Sequence, residues 1–244
     1  MLVVVGEEGR AREHEIRERL VQMGFDQRTF LFDFIACVPG FSLQRYRKLL
    51  KDKLTIFSLN CFGGLISHSL GLKFRSPTVN LFFDEDGFIR MLRHPQIYFA
   101  EQLEFEKMEY EPNLKWEYPV FLLGDVRVYM NHYPEKVSGT ETWQGEVKWY
   151  ERVKRINWFN LFVVMYTDCP ELAEQFDALP YGKKVCFVPF KPTKDSSWQI
   201  DMSADGGTGL VGAAANSFAQ GHPWFYDPFD MLLYGKKTQL VEIP

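Results

Sequence analysis

No apolar run in the sequence reaches about 18 residues, so it offers no helix for crossing a bilayer. The four cysteines, Cys37, Cys61, Cys169 and Cys186, form no CxxC pair, and the five histidines show neither HxH nor HxxxH spacing. Disulfide scaffolds and zinc sites need that density or spacing, so both are excluded and no metal ligand is assigned. The thiols read as reduced, which fits a cytoplasmic protein. GxGxxG and Walker loops are missing, so no dinucleotide or ATP site is claimed and the cofactor stays unassigned. Basic charge is not in excess: 28 Lys and Arg stand against 32 Asp and Glu, a net charge of −4. A mildly acidic surface repels phosphate backbones, which excludes general nucleic-acid binding. The apolar start at Leu2–Val5 breaks at Glu7 and Glu8, too short and too acidic for a signal peptide, and reads as a strand.

Aromatic residues, by contrast, are abundant at 16%. A chain with that much apolar surface is not disordered. Apolar runs at residues 2–5, 30–36, 54–59, 78–83, 118–123, 126–131, 161–166 and 184–189 predict strands. Helical spacing follows Gly9 through Ile16, Leu20 and Met23. It recurs after Ser42, a candidate N-cap, through Leu43, Tyr46, Leu49 and Leu50. Ser138–Asn157 is the longest predicted helix, and Asp168-Cys-Pro170-Glu171 is a helix start. Asp84 and Asp86 read as helix caps rather than metal ligands. Beyond Lys191 the pattern decays into Gly206–Ala215, expected as an ordered loop or lid.

Strands alternating with helices imply an α/β layered fold, with a mixed, largely parallel sheet flanked by helices. Residues 1–52 predict a partial Rossmann-like β-α-β-α segment and 53–190 the α/β core. Residues 191–244 predict a loop-rich aromatic extension packed on that core. Residues 102–133 are expected to add antiparallel strands.

Four constellations can carry chemistry. Asn60-Cys61-Phe62-Gly63-Gly64 sits where a strand runs into a helix, with His68 just beyond. Paired glycines there let a backbone approach a ligand, and the helix start offers N–H groups to an anion. Cys61 is either a nucleophile at a helix start or a buried thiol in a tight turn. Asp125 and His132 are an acid/base pair if a bulge brings their opposite strand faces together; otherwise His132 is a core histidine. Lys148, Arg152 and Arg155, spaced four and three, clamp a phosphate or carboxylate, or form a solvated face with Glu146 and Glu151. Asn157 follows as a polar site residue or turn former. Trp143, Trp149, Trp198, Trp224, Tyr226 and Phe229 are core rings or a sugar-stacking surface.

Ile56–His68, Leu70–Phe82, Gly124-Asp125, His132-Tyr133 and Lys148–Asn157, in that order, resemble domain-of-unknown-function family 1919. That family is labelled "exopolysaccharide biosynthesis protein" and occurs in bacterial capsule and polysaccharide gene neighbourhoods. The resemblance implies a bacterial protein acting on or near polysaccharide assembly. It implies a small-molecule or glycan substrate, with a nucleotide-sugar among the candidates, and other polysaccharide-assembly proteins as partners. Two functions follow. One is a transferase using an activated sugar or other phosphorylated donor, with His68, Asp125 and His132 moving protons. Asn60, Cys61, Gly63, Gly64, Lys148, Arg152, Arg155 and Asn157 then bind the ligand. The other is a non-catalytic glycan- or partner-binding protein, which requires Trp224 and Tyr226 on the surface.

Overall fold

The computed structural model describes residues 3–5, 13–25, 30–112, 115–200 and 224–242. A parallel pair, β1 (Val3–Val5) and β2 (Phe30–Phe32), opens the chain with α1 (Glu13–Gln22) between them. The strand expected over 30–36 stops at Phe32, and Asp33–Ala36 coil into α2. Aspartate disfavours strands and favours helix starts, which accounts for the switch. Next comes α3 (Leu43–Asp52), where the Ser42 side chain accepts from the Arg45 amide as the cap residue should.

The central sheet is β3 (Thr55–Ser58), β7 (Leu161–Tyr166), β8 (Lys184–Val188) and β9 (Ser197–Gln199), side by side in that order and all parallel. Successive side chains of a strand point to opposite faces, and each face of this sheet is buried. Ile56, Phe162, Val164, Val185 and Phe187 face one apolar cluster, shared with α3, α4 (Phe62–Ser69) and the C-terminal helix. Phe57, Val163, Met165, Cys186 and Val188 face the other. That second cluster is completed by α5 (Glu85–Arg93), Trp149 and α8 (Pro170–Asp177). A short α6 (Pro95–Tyr98) leads into the antiparallel sheet β4 (Leu103–Glu111), β5 (Trp116–Leu123) and β6 (Val126–Tyr129). The architecture is therefore mixed α/β, with one parallel and one antiparallel sheet flanked by helices. Among the described residues no helix is long and apolar enough to cross a membrane.

Two further expectations are corrected. Residues 78–83 are not a strand: 77–80 turn, Asn80 takes a left-handed φ of 62°, and Phe82 alone bridges Tyr129. The long helix shrinks to α7 (Gln144–Val153), because residues 136–143 form a turn closed by a Lys136–Trp143 bridge, with Gly139 at φ 75°. Of the two readings of the tail aromatics, the core one holds: Trp198 lies in β9, while Trp224, Tyr226 and Phe229 are buried around α9 (Pro228–Tyr234). The expected lid at Gly206–Ala215 lies outside the described residues.

One ion pair joins the two ends of this frame. The Arg45 guanidinium grips Asp227 bidentately at 3.1 and 2.9 Å, and reaches Asp230 at 2.7 Å. Asp227 Oδ1 also accepts from the Phe229 and Asp230 amides, capping α9. A substitution Asp227→Ala removes both the cap and one of the two carboxylates that hold the partly buried Arg45, and is expected to cost about 2–3 kcal/mol. Lys48→Ala, which breaks the more exposed Lys48–Asp52 pair, is expected to cost about 0.5 kcal/mol or less. Urea denaturation of the two variants reads the difference, and equal midpoints contradict it.

Candidate functional site

The carboxyl end of β3 turns sharply into α4, and the turn is built from side chains. Ser58 Oγ donates to the Asn60 carbonyl at 2.8 Å and accepts from the Gly63 amide at 3.1 Å. Asn60 Oδ1 accepts from the Phe62 amide at 3.0 Å. Two of the free donors expected at a helix start are thus already satisfied inside the protein. The Phe62 and Gly63 amides are therefore not open to an anion.

The paired glycines serve packing. A Cβ on Gly63 would lie 2.9 Å from Ser58 Cβ, and a Cβ on Gly64 would collide with the Asn80 carboxamide. Asn80 fills that space from a left-handed backbone, which asparagine adopts more readily than most residues. The sequence reading missed Asn80, although an Asn directly after the β-branched pair Thr78-Val79 was a usable turn signal.

What the turn presents is Cys61. Its Sγ lies 3.2 Å from His132 Nε2, across 71 positions of sequence. His132 arrives on the chain leaving β6, through Met130 and Asn131. Burial pushes the Cys61 thiol up to about 11, against a smaller lowering by its own backbone. Burial also holds the His132 imidazole below its ordinary value, with Glu111 opposing. Both shifts favour the neutral forms, so the pair rests as a thiol donating to a neutral ring rather than as thiolate and imidazolium. Beside it, Asn131 Oδ1 is buried with no hydrogen-bond partner, while the Asn131 carbonyl accepts from Trp116 Nε1 at 2.9 Å.

The arginine side joins through Tyr133. Arg152 Nη1 donates to Tyr133 Oη at 3.0 Å and to the Val79 carbonyl at 3.0 Å. Val79 and Asn80 in turn pack on Gly64. Residues of α4, the 74–80 segment, the turn following β6, and α7 therefore converge.

The other expected site residues do not join them. Asp125 sits in the β5–β6 turn before β6, and His132 lies in the turn beyond its other end, so the two are at opposite ends of that strand. It is exposed and accepts from Tyr98 Oη at 2.7 Å and Arg90 at 2.6 Å. Those two partners hold its carboxyl below the usual range. His68 is exposed two turns along α4 from Cys61, about 10 Å down the axis. Lys148 is exposed one turn before Arg152, and Arg155 is exposed and paired with Glu151 at 3.4 Å. Asn157 lies at the amino end of β3, where it donates to the Asp52 and Lys53 carbonyls. That is the opposite end of β3 from Cys61, so Asn157 ties strand starts together and does not reach the site. Among the described residues, no group of three or more His, Cys, Asp or Glu is placed to hold a metal ion.

Comparison with known proteins matches residues 36–208 to the model of a family described as "Domain of unknown function (DUF1919)". An "Uncharacterized protein" of Haemophilus influenzae is 34% identical over 146 residues. The match covers 58% of this chain and 65% of that protein, so the chain spans a little under two thirds of its relative's length.

The raised thiol has a consequence for stability. A group whose folded pKa lies above its unfolded value stabilises below the unfolded value and loses that contribution as pH rises through the folded one. Cys61 goes from an ordinary 9.0 to about 11, so its contribution fades across that window. Iodoacetamide labelling of Cys61 in a C37S/C169S background is expected to be slow at pH 7 and to climb steadily toward pH 11. A rate that levels off below pH 8 contradicts the neutral pair.

Proposed function

The chain belongs to the family described as "Domain of unknown function (DUF1919)", and we propose that it works as a transferase with Cys61 as nucleophile. The observation carrying this is the 3.2 Å contact between Cys61 Sγ and His132 Nε2 at a strand-to-helix turn. Nucleophile and base within hydrogen-bond reach are what covalent catalysis requires. A thiol near 11 supplies only about one thiolate in ten thousand at pH 7, so attack depends on His132. In the proposed first step, Sγ bonds to the electrophilic carbon of a donor, the S–H proton passes to Nε2 and on to the leaving group, and the leaving group departs with its electron pair and that proton, which frees Nε2 again. In the second, an acceptor hydroxyl gives its proton to Nε2, bonds to the same carbon, and the C–S bond breaks to restore the thiol. The sequence resemblance supports a place in surface-polysaccharide assembly, with a sugar hydroxyl as acceptor and an activated sugar or other phosphorylated compound as donor.

Within this reading Asn60 shapes the turn, and Gly63 and Gly64 let it pack. His132 is the general base without Asp125 or His68. The alternative, a glycan- or partner-binding protein, draws on exposed tail aromatics. Trp224 is 3% exposed and Tyr226 is fully buried, so that basis is lost.

Intact-mass measurement of the C37S/C169S protein, incubated with a panel of nucleotide-sugars and acyl-CoA thioesters, tests the proposal. A single adduct on Cys61 is expected from at least one donor. His132→Gln is expected to slow its formation by about 100-fold or more while leaving the folded protein intact. No adduct across the panel, or an unchanged rate in His132→Gln, rejects the nucleophile–base assignment.

A further inference from the structure

Arg152 is a buried guanidinium bonded only to neutral acceptors. Its residue is 7% exposed, its Nη1 bonds go to a carbonyl and a phenol, and its plane lies near the Phe74 and Tyr133 rings at 5.6 and 5.9 Å. Among the described residues no carboxylate pairs with it. A guanidinium does not deprotonate in a protein, and a buried charge is normally matched by an opposite one.

Arg75, next to Phe74, is half-buried and makes no hydrogen bond or ion pair among the described residues. Burial first, and then the positive charge of Arg155, hold its pKa below the ordinary value. Two guanidinium groups are thus close enough to repel. Arg155 lies one turn on from Arg152, and its partner Glu151 is exposed and 3.4 Å away. Arg75, Arg152 and Arg155 thus bring three positive charges, and Glu151 is the one carboxylate paired with any of them among the described residues.

We propose that Arg75, Arg152 and Arg155 form a binding site for a phosphoryl dianion, the phosphate end of a phosphorylated ligand. The surplus of two charges matches a phosphate ester better than a carboxylate, and guanidinium forks bind phosphate oxygens in pairs. The site depends on the transferase reading only for its use. Tyr133 links Arg152 to His132, so a phosphate held here would stand beside Cys61 as the charged end of the donor. Sequence spacing suggested a clamp of Lys148, Arg152 and Arg155. In this proposal Arg75 takes the place of Lys148, which is exposed one turn before Arg152.

The test uses the full chain at constant ionic strength, titrated with inorganic phosphate and pyrophosphate and with chloride as control, read by thermal shift and calorimetry. Wild type is expected to gain Tm with both phosphates beyond chloride. Arg75→Gln is expected to weaken pyrophosphate by about 10- to 100-fold. Its ligand-free Tm should stay level or rise, since a like-charge contact is removed. Glu151→Gln should tighten binding a few-fold by removing the competing carboxylate. No phosphate-specific gain in wild type, an undiminished gain in Arg75→Gln, or a fall in its ligand-free Tm overturns the site.

Soluble nucleoside diphosphate in one arm and vesicles containing phosphatidic acid in another identify whether a free or a lipid phosphate is bound. An Arg75-dependent response in either arm supports the site, and silence in both overturns it. Cys61→Ser separates the two ideas. Retained pyrophosphate binding with no transferred group in wild type sinks the transferase alone. A Cys61 adduct without phosphate binding sinks the arginine site alone.

Discussion

Everything at the candidate site hangs on Ser58. Its hydroxyl closes the turn between β3 and α4 from both sides, taking the Gly63 amide and giving to the Asn60 carbonyl. The same turn does two things at once. It uses up helix-start donors that would otherwise attract an anion, and it fixes Cys61 at the first turn of the helix. The positive end of a helix lowers a thiol pKa, while burial raises it. Here burial wins and the thiol rises to about 11. The helix start is therefore a rigid mount for sulfur, and any work of charge stabilisation falls to other residues.

Those other residues are held by a segment with almost no regular structure. Residues 73–80 are buried over much of their length, yet their backbone groups need partners. Their own hydroxyls supply some of them. Thr78 Oγ1 accepts from the Ser58 amide at 3.0 Å, and Ser76 Oγ accepts from the Thr78 amide at 3.1 Å. This aims the Val79 carbonyl at Arg152 and presses Asn80 against Gly64. One irregular strip thus couples the sulfur side of the site to the arginine side. Shortening it would separate them without touching either sheet.

Much of the frame was legible because burial writes itself as periodicity. The runs at 54–59, 161–166 and 184–189 are apolar on both faces, as a doubly covered parallel sheet demands, and all three are strands of that sheet. The break at Gly124-Asp125 gave the β5–β6 hairpin. Pattern failed where local chemistry overrode it. Residues 78–83 look extended by composition, but the Ser76 and Thr78 hydroxyls and the left-handed Asn80 bend them. Trp143 matches the stripe of α7 yet stands before its first turn, where Glu146 bonds its amide. The Cys61–His132 contact was illegible for a different reason. It spans 71 residues and depends on register between two sheets, which no local window contains. Asp125 could partner His132 only through a bulge in β6, and β6 pairs with β5 in regular register.

The contrast between Arg45 and Arg152 shows what the frame and the site each require. Both are arginines partly or wholly removed from water. Arg45 meets two carboxylates in good geometry, and its charge is neutralised within the fold. Arg152 meets a carbonyl, a phenol and two rings, with the further positive charge of Arg155 one turn along. A chain selected only for stability would place a carboxylate beside Arg152, or replace it with an apolar side chain of similar volume. Leaving the charge uncompensated costs folding free energy, and such costs concentrate where a protein meets a ligand. The same reasoning applies to the Asn131 carboxamide oxygen, buried without a partner next to His132. A buried charge without a counter-charge and a buried oxygen without a donor flank the Tyr133–His132 pair, so stability has been given up at this site.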